Sequence, residues 1–320
     1  MADTSGRISL WGVEVFLATA EEKSVSAAAR RLGASPSAIS QQISGLEAAL
    51  GAELMNRRER PLTLTAAGEI LRRRGQIIVN EAAQIRAELG ANDLSSLTRM
   101  RLGMIEDFDA DVSPRLLQEL SQSFGRTVFL LETGPSHRLL DALDTRALDV
   151  VVAADMGASA DWMEVHSLLR EPFVAAAPRG VIDPAAALES LSKLPLIQYT
   201  PRHHMGRVIA DHLARQNLTM AHRFELDSYH AITAMVASGR GWTILTPLGV
   251  GYAKRFIDDI DVLPLPFAPL ERTISLSARR DVLGDMPSQT AQRLRALLQE
   301  HVVDPMVARH TWLEGELRVL

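Results

Sequence analysis

Four carboxylates fall within six residues at Glu106, Asp107, Asp109 and Asp111. Such a loop repels anions and suits a cation or an ammonium group, with Phe108, Tyr199 or Tyr229 available for cation–π contact. It reads equally as a solvated loop capping the helix that Ser113-Pro114 begins. His203-His204 suggests imidazole chemistry, but adjacent histidines at a helix start do not point at one ion. They also lack the i, i+4 spacing of metal-binding helices, so neither a metal nor any other cofactor is expected. Gly239-Arg240-Gly241 lacks the third glycine of a dinucleotide loop and precedes a strand, which marks it as a helix-end turn. No HExxH, GxSxG or Walker loop is present. With no cysteine among 320 residues, thiolate nucleophiles, zinc fingers and disulfide scaffolds are excluded. These absences argue against an enzyme.

A different set of polar residues sits near the N-terminus. Ser37, Ser40, Gln41 and Ser44 line one side of a helical stretch whose other side carries Ile39, Ile43, Leu46 and Leu50. Short hydroxyls and an amide on a protruding face reach base edges or phosphates. Arg57, Arg58 and Arg60 follow at the tip of a short hairpin spanning Leu54 to Leu64. The chain carries 34 basic and 39 acidic residues, yet residues 24–75 hold eight arginines against four glutamates. Positive charge therefore concentrates around this motif.

The elements that must position these groups follow from periodicity. Leu10, Val13, Phe16, Leu17 and Ala20 give an amphipathic helix. Ser26 reads as the N-cap of a second helix that Gly33 ends, and Ser35-Pro36 opens the third, which stops at Gly51. Helix, glycine turn, helix is the helix-turn-helix arrangement, and the hairpin would flank it as a wing. Thr65 caps a long helix to about Leu89, spanning about 38 Å. Leu71, Ile78 and Ile85 recur there every seven residues, a coiled-coil seam that supplies a two-fold partner. Asn92 to Ser96 reads as a hinge. Beyond it, apolar runs at Met100–Ile105, Thr127–Glu132, Leu148–Ala153, Phe173–Ala177, Pro195–Tyr199, Trp242–Thr246 and Thr273–Ser277 alternate with helices, which implies an α/β sheet architecture. No apolar run approaches the roughly 18 residues of a membrane span, and Glu14 interrupts the first one, so a signal peptide and a membrane partner are not expected. The chain reads as cytoplasmic.

Ser24-Val25-Ser26-Ala27-Ala28-Ala29, Ser35-Pro36-Ser37-Ala38-Ile39-Ser40-Gln41-Gln42-Ile43, Leu46-Glu47 and Leu50-Gly51 closely resemble the N-terminal signature of LysR-type transcriptional regulators. The match continues through Asn56-Arg57, Pro61 and Leu64-Thr65-Ala66-Ala67-Gly68-Glu69, and then more weakly along the chain, including Leu194-Pro195-Leu196-Ile197 and Asp227 to Pro247. Two departures are Gln41, where arginine is common, and Met55, where phenylalanine is common. The first removes one phosphate or guanine contact.

The resemblance implies an α/β chain overall: an all-α winged helix-turn-helix domain (8–65), a linker dimerisation helix (66–91) and a two-lobed effector-binding domain (98–303). Lobe I would take about 98–166 and 266–303, lobe II about 167–265, with a C-terminal tail at 304–320. It further implies a sequence-specific regulator of transcription that binds double-stranded DNA as a homodimer or homotetramer and responds to a small metabolite between the lobes. Ser26, Ser35, Ser37, Ser40, Gln41, Ser44, Arg57, Arg58 and Arg60 would touch DNA. In such two-lobed folds strand ends and helix N-termini face the cleft. That nominates Glu106, Asp107, Phe108, Ser136, His137, Tyr199, Thr200, Arg202, His203, Ser228, Tyr229 and Thr246 for a cationic or zwitterionic effector. The alternative is a cytosolic small-molecule-binding protein, or an enzyme, with an appended DNA-binding module.

Overall fold

The computed structural model describes residues 7–56, 59, 61–89, 99–125, 127–157 and 159–320. The wing-tip arginines Arg57, Arg58 and Arg60 and the hinge at 92–96 lie outside these residues. The chain divides into two compact units, Met1–Ser96 and Leu97–Leu320.

In the first unit each helix start is set by a hydroxyl. Ser9 accepts the Gly12 N–H at 3.0 Å to open α1 (Leu10–Glu22). Ser24, not Ser26, caps α2 (Val25–Leu32): its hydroxyl accepts from the Ala27 N–H, which leaves Ser26 exposed in the first turn. Gly33 follows with φ +64°, the left-handed geometry that glycine adopts without a Cβ penalty. Ser35 caps α3 (Pro36–Leu50), and Gly51 ends it with φ +65°. β1 (Met55–Asn56) pairs antiparallel with β2 (Thr63–Leu64) to form the wing. Thr65 then caps α4 (Ala66–Leu89) through the Gly68 N–H at 3.0 Å. Val13, Phe16, Leu17, Ile39, Ile43, Leu46, Leu54 and Leu71 close one core.

Two expectations change here. Leu50 ends its helix 37% exposed and takes no part in that core. Leu71 is buried in it and is thereby removed from the expected seam. The reason is the approach of α4 to α1: a Cβ on Gly75 would lie 2.8 Å from Val13 Cγ1, so the face carrying Leu71 and Gly75 is committed to its own domain. Among the described side chains of α4, the large apolar ones exposed are Ile70 (55%), Ile78 (46%) and Ile85 (54%).

The second unit is built on two sheets. Its first sheet runs β13-β6-β12-β5-β3-β4, from β3 (Arg99–Met104), β4 (Val128–Thr133), β5 (Val150–Ala154), β6 (Met163–Pro172), β12 (Glu271–Arg279) and β13 (Arg318–Val319). Parallel β3, β4 and β5 are linked by α5 (Ser113–Ser123) and α6 (Ser136–Asp144). The second sheet has the order β10-β7-β11, from β7 (Val174–Pro178), β10 (Thr243–Leu245) and β11 (Ile260–Pro264). The parallel pair β8 (Leu196–Tyr199) and β9 (His222–Leu226) joins it through a Leu196–Trp242 bridge. The second sheet carries α7 (Ala187–Ser192), α8 (His204–Arg215), α9 (Tyr229–Ala237) and α10 (Pro247–Tyr252). After β12 the chain forms α11 (Met286–Leu298), a π-helical turn at Gln299–Val303 and α12 (Asp304–Arg309).

The chain crosses between the sheets twice, and the Phe173 N–H donates to the Leu270 carbonyl at 2.7 Å, clasping the two crossings together. All of β6 pairs within the first sheet, so the first crossing comes at Phe173 and not at 167. β6, β9, β11 and β13 escape periodicity analysis. β6 carries charged residues because one face is partly exposed, and β9 is an edge strand exposed almost throughout. The tail folds back on its own chain: Arg318 and Val319 pair with Arg170 and Leu169.

Candidate functional site

Two surfaces carry the polar residues of interest. On α3, burial of Ile39, Ile43 and Leu46 forces the opposite face outward. Ser37, Gln41 and Ser44 are exposed and Ser40 is half-buried beside the wing. Ser35 is exposed but already engaged: its hydroxyl accepts the Ala38 N–H at 3.2 Å and meets the Ser37 hydroxyl at 2.9 Å. A helix opening on two hydroxyls, with a polar outer face and a hairpin beside it, has the form of a groove-reading element.

The second surface is a cavity of about 360 Å³ between the two sheets of Leu97–Leu320. Of the nominated residues, Glu106, Asp107, Ser136, Tyr199, His203, Ser228 and Tyr229 line it. His204, conspicuous in the sequence beside His203, lines it too, and the sequence did not single out Asp155, Phe173, Met205, Asp227 and Arg272 as lining residues. Five nominated residues are placed elsewhere. Phe108 is fully buried and leaves the wall because the turn after β3 points it into the first lobe's core. Thr200 is buried, with its hydroxyl donating to Glu225 at 2.7 Å. Thr246 is buried as the cap of α10 and accepts from Arg272 at 3.1 Å. Arg202 is exposed and outside the lining. His137 stands behind the wall, its ring 6.2 Å from that of His203.

Arg272 organises the cavity floor. Its Nε donates to Glu171 at 2.7 Å and its Nη2 to Asp107 at 2.9 Å. Glu171 is wholly buried and also accepts the Leu248 N–H at 3.0 Å. This cluster ties the loop after β3, both interlobe crossings and the start of α10 together. Glu171 and Arg272 carried little signal in the sequence, since each stands next to another charge, Arg170 and Glu271, in a strand of mixed polarity. Their partnership had none, because 101 positions separate them.

Asp107 is thus engaged, whereas Glu106 and Asp227 form no ion pair among the described residues. Burial, reinforced by Asp107, Asp109 and Asp227, pushes Glu106 up to about 7. Burial likewise raises Asp155, and it raises Asp109 against an opposing bond from Thr133. Burial lowers His203 and His204 below the ordinary imidazole value, which keeps them neutral at pH 7. Of the other loop acids, Asp111 pairs with Lys254 at 2.6 Å. Tyr199 and Tyr229 form an aromatic wall with ring centroids 5.4 Å apart. Among the described residues no group of three or more His, Asp or Glu converges to hold a metal ion. A cavity of this size, with an aromatic wall and unpaired carboxylates, suits a small ligand bearing positive charge.

Comparison with known proteins accounts for both surfaces. Residues 10–69 match the family described as bacterial regulatory helix-turn-helix protein, lysR family. Residues 96–303 match the LysR substrate binding domain. The chain is 28% identical over 302 residues to the HTH-type transcriptional regulator DgdR of Burkholderia cepacia, covering 93% of this chain and 97% of that protein. It is 26% identical over 297 residues to the DNA-binding transcriptional dual regulator OxyR of Escherichia coli K12, covering 90% and 95% respectively. A full-length OxyR variant from Pseudomonas aeruginosa superimposes with a TM-score of 0.65 at 22% identity, covering 90% of this chain and 95% of that one. That similarity is one of fold.

Proposed function

The chain belongs to the LysR-type regulators, DNA-binding transcriptional regulators with an effector-binding domain, and from that premise we propose how its own residues divide the work. The outward face of α3, Ser37, Ser40, Gln41 and Ser44, enters the major groove. Ser26 and Ser35 sit at the edge of that contact, and Arg57, Arg58 and Arg60 on the wing hold phosphate or minor-groove atoms. With neutral hydroxyls and an amide making the base contacts, sequence preference rests on few hydrogen bonds and affinity on the arginines. Two chains pair through the exposed face of α4 that carries Ile78 and Ile85, which spaces two reading helices for two half-sites, and the working assembly is a homotetramer. No described helix is long and apolar enough to cross a membrane, and the regulator works on DNA in the cytoplasm.

The effector binds in the interlobe cavity and carries positive charge. The observation behind this is the pair of unpartnered carboxylates, Glu106 and Asp227, on a wall shared with Tyr199 and Tyr229. The absence of cysteine leaves no thiol to modify, so the effector acts by reversible binding. Because the cavity touches both lobes and the ion cluster at their crossings, occupancy favours one lobe arrangement over another and biases the bound DNA. The test is fluorescence anisotropy on the DNA upstream of the chain's own gene, with and without a library of cationic and anionic metabolites. Specific binding modulated by a cationic or zwitterionic compound is expected. Specific binding modulated only by organic acids would overturn the charge assignment, and no specific binding would overturn the residue roles on α3.

A further inference from the structure

The cavity has two poles, and the second is not acidic. Helices α6 and α8 both begin at its wall, and neither start is capped by a side chain, since their N-caps are Pro135 and His203. First-turn N–H groups and the positive ends of the helix dipoles therefore face the cavity from two directions. Ser136 supplies a second, independent sign of a missing partner. Only 9% exposed, it lines the cavity and accepts the Ala154 N–H at 3.1 Å. Its own hydroxyl hydrogen meets no protein acceptor among the described residues. Beside it the Nδ1 atom of His137 is buried and unpartnered, and the neutral ring of His203 stands 6.2 Å away. Charge around His203 is mixed in the same sense: Arg138 and Arg202 act on it from the helix starts and Asp227 from the acidic side.

The opposite pole holds Glu106 and Asp227, with Tyr199 and Tyr229 forming the wall. Asp107 is spent on Arg272. A ligand with positive charge alone would satisfy the acidic pole and leave the donors of α6, α8 and Ser136 dry and unpaired, at the cost of burying polar groups without partners. A simple organic acid would satisfy the donors and leave its own charge beside unpaired carboxylates.

We propose that the ligand is a small zwitterion of the amino-acid or betaine class. Its carboxylate lies between the starts of α6 and α8, where it accepts from Ser136, and its ammonium lies between Glu106 and Asp227 against the tyrosine wall. This rests on the positively charged effector proposed above and narrows it.

The experiment uses the full chain and calorimetry. The twenty common L-amino acids and glycine betaine are screened first. The strongest binder is then compared with its decarboxylated amine and its α-hydroxy acid, or for the betaine with tetramethylammonium and glycolate. Both analogues are expected to bind at least tenfold more weakly. Ser136→Ala is expected to weaken the zwitterion about ten- to hundredfold while leaving the amine unchanged, the range of one charged hydrogen bond. Glu106→Gln should weaken the zwitterion and spare the α-hydroxy acid. Retained amine binding and an unaltered unfolding transition show that Ser136→Ala is folded; should it not be, the analogue comparison on the native chain decides. An amine that binds as tightly as its amino acid overturns the zwitterion but leaves the positively charged effector standing. An α-hydroxy acid that binds as tightly overturns both. Absence of binding by every amino acid and by betaine overturns the present proposal.

Discussion

The outer face of α3 and the interlobe cavity treat polar residues in opposite ways. On α3 the side chains are neutral, with Ser37, Gln41 and Ser44 exposed and Ser40 half-buried. Around the cavity they are charged and enclosed, and Arg272, Asp107 and Glu171 satisfy one another at 12%, 3% and 0% side-chain exposure. The first arrangement can change its partners without endangering the fold. In the second, recognition and stability share atoms, because Arg272 holds the cavity floor and also joins the two lobes. Substitutions in the two places should therefore separate cleanly.

The largest difference is expected at the ion cluster. Arg272→Leu leaves Glu171 buried without its counter-charge and should cost about 3–5 kcal/mol. Ser37→Ala should stay within about 0.5 kcal/mol. Urea denaturation of both variants checks this, and equal midpoints would erase the contrast. A second pair divides α4. Leu71→Ala should destabilise the fold of the N-terminal unit by about 2–5 kcal/mol, whereas Ile78→Asp should leave it folded and separate its dimer. Ultracentrifugation and circular dichroism on residues 1–97 distinguish the two, and a variant at Ile78 that remains dimeric would move the seam elsewhere.

A third contrast is one of pH. Glu106 sits at about 7 when folded and near the usual carboxylate value when unfolded. Between those values the native state holds the extra proton, so this group's contribution to stability falls as pH rises through that window and levels off above 7. Ligand affinity should run the other way. If only ionised Glu106 holds an ammonium, affinity rises about tenfold from pH 6 to pH 8, and Glu106→Gln should flatten the profile. Calorimetry across that range measures it, and an unchanged slope in the variant would place the titrating group elsewhere. DNA binding through α3, which has no titrating side chain among Ser37, Ser40, Gln41 and Ser44, offers the reference.

The smallest effect belongs to the wing. Replacing Arg57 and Arg58 by alanine should reduce the salt dependence of DNA binding by about one unit of slope for each phosphate released, uniformly across sequences. Gln41→Ala should instead alter sequence preference with little change in slope. Anisotropy titrations at several salt concentrations separate these outcomes.

Sequence alone determined the N-terminal surface, because everything that orients it is local. Pro36, Gly33 and Gly51 bound the helices, and Ile39, Ile43 and Leu46 select the buried face, so Ser37 and Gln41 have one place left to go. Even there, whether Ser24 or Ser26 caps α2 depended on backbone geometry that composition does not distinguish, since both are serines at a helix start. The division of α4 between its own core and an outer seam required tertiary contact as well: Leu71 and Ile78 share a heptad position, and only the approach of α1 to Gly75 separates them. In the cavity, the two-lobed fold that the family resemblance implied is how Glu106, Ser136, Tyr199 and Ser228 could be nominated. Which carboxylate stays free was not legible. Asp107 and Arg272 stand 165 positions apart, and Glu106 differs from its neighbour only in the partner that the fold withholds. A charge acquires its chemical role from what closes around it. That closure was decided by the return of β12 to the first sheet, far along the chain from the loop whose acids it sorts.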